Sequence, residues 1–232
     1  MLEKIKIMNV LHPLLVCFFY IIIATASGQT QEYADDKEFT KISNVPQDVK
    51  KVYLPVHCPK WGHRTRAMVT IEPTTDGTDQ VQVSTYPANL VTASTGDDST
   101  LKLTWNEDVA FDSNVKEGGI RIFFPADQLK SVSVTADSEA QILNGFTSIE
   151  YIKVSSDAKL QADLLSLTKN NQNDIDGDDN DDDDDPKFEV FVKSDAQATV
   201  LSSIAISKLD VSSDAHASIG ANVHGLSVKS DA

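Results

Sequence analysis

The sequence predicts an all-β fold, a parallel β-solenoid (β-helix) of about 17–20 residues per turn preceded by a short β-rich region. Two observations carry this expectation. First, a pattern with a central aspartate recurs five times, at 132–142 (VSVTADSEAQI), 152–162 (IKVSSDAKLQA), 190–200 (VFVKSDAQATV), 209–219 (LDVSSDAHASI) and 226–232 (LSVKSDA). The aspartates Asp137, Asp157, Asp195, Asp214 and Asp231 are spaced by 20, 38, 19 and 17 residues, and the long step is two periods with an insertion. A fixed period of this length marks stacked repeats. Second, counted from each aspartate, the odd offsets from −5 to +5 carry Val, Ile, Leu, Ala or Ser, whereas the even ones are polar except for Phe191. A period of two is that of a strand with one buried and one wet face.

Taken in order, residues 1–26 read as a signal peptide. Lys4 and Lys6 precede the apolar run 14–26 (LLVCFFYIIIATA), which ends in the small-x-small site Ala24-Thr25-Ala26. That run is shorter than the roughly 20 residues needed to span a bilayer, so no stable membrane insertion is expected. Residues 27–50 are polar and aperiodic, the composition of a flexible leader.

Residues 51–125 form the β-rich lead-in region. Its short alternating runs at 69–71, 81–85, 101–105 and 120–124 are separated by Thr75-Asp76-Gly77-Thr78, Thr95-Gly96-Asp97-Asp98 and Glu117-Gly118-Gly119, which are turn signals. Trp61 and Trp105 are expected in the core rather than as sugar platforms. Once a signal is removed, Cys58 is the one remaining cysteine, a buried thiol or an intermolecular link. His57, Cys58 and His63 lack a fourth donor and sit among Pro55 and Pro59, so a loop is expected there and not a zinc site.

The repeats occupy 126–232. Stacked at about 4.8 Å, they would line up a column of valines and a column of alanines, with a corner at each Ser-Asp-Ala. An antiparallel sandwich of similar hairpins is the alternative, which the repeated central triplet disfavours. The outward aspartates would repel one another, by roughly 1 kcal/mol per neighbouring pair in water. Backbone N–H groups at an Asx-type corner can offset this, as can Lys193 and Lys229 two residues earlier, or a bridging divalent cation. The chain stops on its fifth corner, at Ala232, so either a fragment or an unclosed final coil is expected. An open end invites self-association.

The acidic insertion at 169–187 holds nine aspartates. Calcium is the cofactor it could take, through Asp174, Asp176, Asp178, Asp181 and Asp183. In an EF-hand register, however, Gln172 and Asp183 occupy the first and twelfth positions, so the motif is incomplete. A solvated loop that collects cations loosely is the competing reading.

A formal net charge of −15 argues against a nucleic-acid partner. Arginine is scarce in the repeats, His216 and His224 belong to no nucleophile or ligand constellation, and no phosphate-cradling or catalytic-serine motif occurs. Catalytic residues are therefore expected to be absent. The succession 120–125 (IRIFFP), 129–134 (LKSVSV) and then repeated Val-x-Ser-Asp-Ala-x-Ala resembles the auto-transporter adhesin head family (GIN domain) and related adhesin β-solenoids, over roughly 65–232. Ser-Asp-Ala stands where that family commonly has Ser and Gly, and the acidic insertion lies outside its pattern. The resemblance implies a secreted or cell-surface solenoid that acts by adhesion to extracellular matrix, polysaccharide or another surface ligand, with no catalytic residue to carry over. A carbohydrate-active solenoid enzyme and an acidic, mineral-interacting matrix protein are the two alternatives.

Overall fold

The computed structural model describes residues 38–54, 67–75, 77–110, 118–168 and 187–229. The chain divides into two compact units, Met1–Glu38 and Phe39–Ala232, and every described strand belongs to the second. The described residues of that unit are nearly all β, arranged in two mixed eight-stranded sheets.

The strands before the repeats are β1 (Thr40–Lys41), β2 (Lys51–Leu54), β3 (Ala67–Pro73), β4 (Gln82–Tyr86), β5 (Val91–Gly96), β6 (Thr100–Trp105) and β7 (Gly118–Phe124). The repeats supply β8 (Ser131–Val134), β9 (Glu139–Ile142), β10 (Tyr151–Ser155), β11 (Lys159–Leu164), β12 (Glu189–Lys193), β13 (Gln197–Ser202), β14 (Lys208–Ser212), β15 (His216–Gly220) and β16 (Leu226–Lys229). The first sheet runs β1-β4-β7-β3-β9-β11-β13-β15 and the second β16-β14-β12-β10-β8-β2-β6-β5.

Each repeat thus places the strand before its aspartate in the second sheet and the strand after it in the first. Strands of successive repeats pair in parallel and in register, so like residues stack. In the second sheet Leu54, Val134, Val154, Val192, Val211 and Val228 form one column. In the first, Ile71, Ile142, Ala162, Val200 and Ile219 form another. Except at Val228 these columns face one core, and Val134, Val154, Val192, Ile71, Ile142 and Val200 are wholly buried. Parallel ladders buried on an inner face draw on the high strand preference of Val and Ile.

The aspartate corner is a pair of left-handed residues. Ala136 and Asp137, Ser156 and Asp157, Ser194 and Asp195, and Ser213 and Asp214 all have φ between 56° and 61°. Two successive residues of this kind reverse the strand without using a hairpin partner. Asp and other short polar residues tolerate the conformation because their side chains bond locally. The corner backbone also continues the ladder: the N–H groups of Asp137, Asp157 and Asp195 donate to the carbonyls of Ser156, Ser194 and Ser213 at 3.0, 3.1 and 3.0 Å.

The corner alters the strict alternation read from the sequence. Offset +1 points inward, with Ser138, Ala158 and Ala196 buried, but at offset −1 Ser156 and Ser194 are exposed. The turn removes that position from the inner face. Ser138 stands where the later repeats have Ala because its hydroxyl donates to the Leu54 carbonyl of the preceding layer at 3.0 Å.

On the other side, the returning segments fill the core with Phe146, Phe188 and Ile206, all fully buried. Away from the repeats, the parallel ladders meet antiparallel strands. In the first sheet β4 pairs antiparallel with β7 and β1 with β4, and in the second β5 pairs antiparallel with β6. At the opposite edges, β15 and β16 each have one neighbour, and Leu226 and Val228 of β16 are 66% and 68% exposed.

Residues 42–50 cross these layers and are tied down by glutamines. Gln128 donates to the carbonyls of Gln47 and Val49, both at 2.7 Å, and Gln47 exchanges bonds with the Val81 backbone at 2.9 and 3.1 Å. No helix among the described residues is long and apolar enough to cross a membrane.

Candidate binding face

The outer face of the second sheet collects side chains that lie far apart in the sequence. Strand pairing sets Lys102, Tyr53, Ser133, Lys153, Phe191, Asp210 and Ser227 in one column. Beside it run Lys51, Ser131, Tyr151, Glu189 and Lys208. Across β2, β6, β8, β10, β12, β14 and β16 the outward positions hold six lysines (51, 102, 153, 193, 208 and 229) against two carboxylates, Glu189 and Asp210. This face is cationic on a chain whose net charge is −15.

Its centre is Phe191, the one large apolar residue at an even offset. The Tyr151 ring lies 5.2 Å away, tilted by 33°. The ammonium groups of Lys193 and Lys208 lie 5.5 and 5.1 Å from the centre of the Phe191 ring. Both are within cation–π range, and with Tyr151 they leave Phe191 half-buried on the outer face. Lys193 also pairs with Asp210 at 3.6 Å, while the other Asp210 carboxylate oxygen is buried with no hydrogen-bond partner among the described residues. Burial, aided by the charge of Glu189, raises the Tyr151 phenol above its usual pKa, so at neutral pH it stays a neutral hydroxyl. The outer face of the first sheet differs: from Thr70 through Gln141, Gln161, Thr199 and Ser218 its central column is polar and uncharged, and only beyond Thr70 does it reach Arg121.

The corner aspartates border the lysine face. Asp157, Asp195 and Asp214 are exposed and Asp137 is half-buried. Among the described residues, no three His, Cys, Asp or Glu side chains converge so as to hold a metal ion. Asp231, the acidic residues Asp174, Asp176, Asp178, Asp181 and Asp183, Cys58 and Trp61 all lie outside the described residues. Trp105 packs half-buried against the core, and His216 and His224 are exposed.

In the sequence these even offsets are wet, but nothing local assembles them into a face. The signal was present in Lys153, Phe191, Lys193, Lys208 and Lys229. Tyr53, Lys51 and Lys102 joined it only through the pairing of β2 with β6 and β8.

No protein-family model matches the chain, and no curated protein matches it. Among solved structures it is similar to a putative adhesin from Bacteroides fragilis NCTC 9343, at 11% identity and a TM-score of 0.32, over 84% of this chain and 98% of that one. A putative lipid binding protein from Parabacteroides distasonis ATCC 8503 matches at 10% identity and a TM-score of 0.31, over 84% and 96%. A putative adhesin from Parabacteroides merdae ATCC 43184 matches at 8% identity and a TM-score of 0.24, over 85% and 98%. Likeness at this level assigns neither a family nor a ligand to the chain.

Proposed function

We propose that the protein is a secreted, adhesin-like β-solenoid that acts by binding an acidic polysaccharide along the outer face of its second sheet. The observation that carries this reading is the six-to-two excess of lysines over carboxylates on that face, centred on Phe191 and Tyr151. The ladder holds the lysines in three adjacent columns at multiples of the strand spacing, about 4.8 Å, and so presents an elongated cationic face to an elongated anion. Tyr151 adds a neutral hydroxyl and, with Phe191, an apolar platform of the kind on which sugar rings lie. The signal-like segment 1–26 supports an extracellular location.

A panel of immobilised sulfated, uronate-containing and neutral polysaccharides tests this. The wild type should bind the anionic polymers selectively without releasing reducing ends, and K153A/K193A/K208A should lose at least tenfold in affinity. Equal binding of neutral polymers, or an unaltered triple variant, would overturn the reading, and released reducing ends would favour a carbohydrate-active enzyme.

A separate cation-binding role belongs to the acidic insertion, supported by its nine aspartates. Deleting 174–185 should abolish binding to calcium salts while leaving polysaccharide binding intact. Unchanged calcium-salt binding by the deletion variant would rule out that role. The exposed Leu226 and Val228 support self-association through the edge at β16.

A further inference from the structure

A second feature lies on the other sheet, where antiparallel strands close the parallel ladder. A cleft of about 300 Å³ opens there between Phe39, β1, β4 and β7, at the lower end of the range for small-molecule sites, about 300–1,000 Å³. Its chemistry follows from strand register. Lys41 lies directly opposite Ser84, and Ser84 directly opposite Arg121. One row across three strands therefore reads cation, hydroxyl, cation. Directly opposed residues in antiparallel strands have Cα atoms about 4.5–5.5 Å apart, so the two cations flank the hydroxyl within reach of one small anion.

Three details show that the row is built and not incidental. Ser84 is 5% exposed, and it lines the cleft. Arg121 is held in place: its guanidinium lies 4.5 Å from the centre of the Phe39 ring, and its Nε is 3.8 Å from Glu72. Gly119 makes room for that ring, since a Cβ there would meet Phe39 at 2.8 Å. Glu72 pairs with Arg121, whereas Lys41 has no ion-pair partner among the described residues. Two cations thus line the cleft against one paired carboxylate.

The neighbouring row supplies the rest. Phe123 lies opposite Gln82 and gives the cleft an apolar surface beside an amide, with the hydroxyls of Thr74 and Thr75 at its rim. We infer that this cleft binds a carboxylate-bearing sugar of hexuronate size, its carboxylate between Arg121 and Lys41 and its ring on Phe123. The site is distinct from the lysine face and does not depend on it.

Isothermal titration of the full chain with glucuronate, glucose and benzoate tests the assignment. Glucuronate should bind, glucose should bind at least tenfold more weakly for want of the carboxylate, and benzoate should bind more weakly for want of hydroxyls. R121Q and K41Q should each reduce glucuronate affinity about tenfold, with K41Q keeping the wild-type melting temperature because Lys41 is exposed. K153A/K193A/K208A, which weakens polymer binding, should keep the component of glucuronate binding that K41Q and R121Q remove. A glucuronate-terminated oligosaccharide, run beside the free sugar, distinguishes a glycan end from a free acid as the source. Absence of glucuronate binding, equal binding of glucose or benzoate, or an unaltered K41Q would each overturn the inference.

Discussion

At the scale of single residues, the repeat is defined by backbone conformation more than by charge. Ser194 and Asp195 both have positive φ, 56° and 60°, a region that costs L-residues roughly 1–2 kcal/mol each. A β-branched side chain is the least compatible with it. Ser194→Val should therefore lower stability by about 1–3 kcal/mol, whereas Ser194→Gly should be close to neutral, since relief of strain offsets the added freedom of the unfolded chain. Paired urea denaturation curves measure the contrast. Glu72 provides a second test. Burial raises its pKa above the usual 4.5 and Arg121 opposes that rise. The folded state therefore holds the proton more tightly than the unfolded chain, and the contribution of Glu72 to stability is present at low pH and lost as pH rises through its folded pKa. Wild-type melting temperature should fall relative to that of E72Q as pH is raised from about 4.5. A difference that stays constant with pH would contradict the assigned burial.

At the scale of elements, what could be read from the sequence was whatever repeats locally. The alternation of Val190, Val192, Ala196, Ala198 and Val200 is sufficient to place β12 and β13 with their inner faces, and each of these residues is buried. The turn at the aspartate was also legible, because an Asp bracketed by small residues favours a turn over a strand interior. The left-handed pair itself was not, since Ser, Ala and Asp are compatible with several turns. Strand β1 is two residues long and shows no period, and Gly118-Gly119, which reads as a turn, lies in β7 because the missing side chain admits Phe39. The inner column of small residues is a packing constraint. Ala158 is wholly buried, so Ala158→Leu should cost about 1–3 kcal/mol by overpacking. Phe188→Ala should cost about 3–5 kcal/mol by leaving a cavity. Thermal or chemical denaturation with both variants, against an exposed control such as Thr199→Ala, checks whether the layers are as tightly filled as their burial indicates.

At the scale of the molecule, the two candidate sites were hidden from sequence reading for the same reason. Lys41, Ser84 and Arg121 come from three strands, and the lysine face draws on seven. No local motif encodes either grouping; only strand order does. The charge contrast between the lysine face and the rest of the chain implies a salt dependence. Polysaccharide binding should weaken steeply as ionic strength rises, because charges farther apart than about 8 Å are screened at physiological salt. The slope of log affinity against log salt should be shallower for K153A/K193A/K208A. A salt-insensitive wild type would point to the aromatic rings alone.

Strand order has a further consequence, for the sequence of events during synthesis. The earliest complete layer, β2 with β3, ends up inside both sheets, between β6 with β7 on one side and β8 with β9 on the other. The first layer to leave the ribosome is therefore a seed with two growing sides. One side is finished by antiparallel strands, and the other extends one repeat at a time in the direction of translation. Neighbour-only contacts of this kind make stability close to a sum over layers. Shortening the chain from its last repeats should remove stability in steps while leaving a folded remainder, whereas deleting 51–54 should prevent folding altogether, because it takes away the layer to which every later one is added.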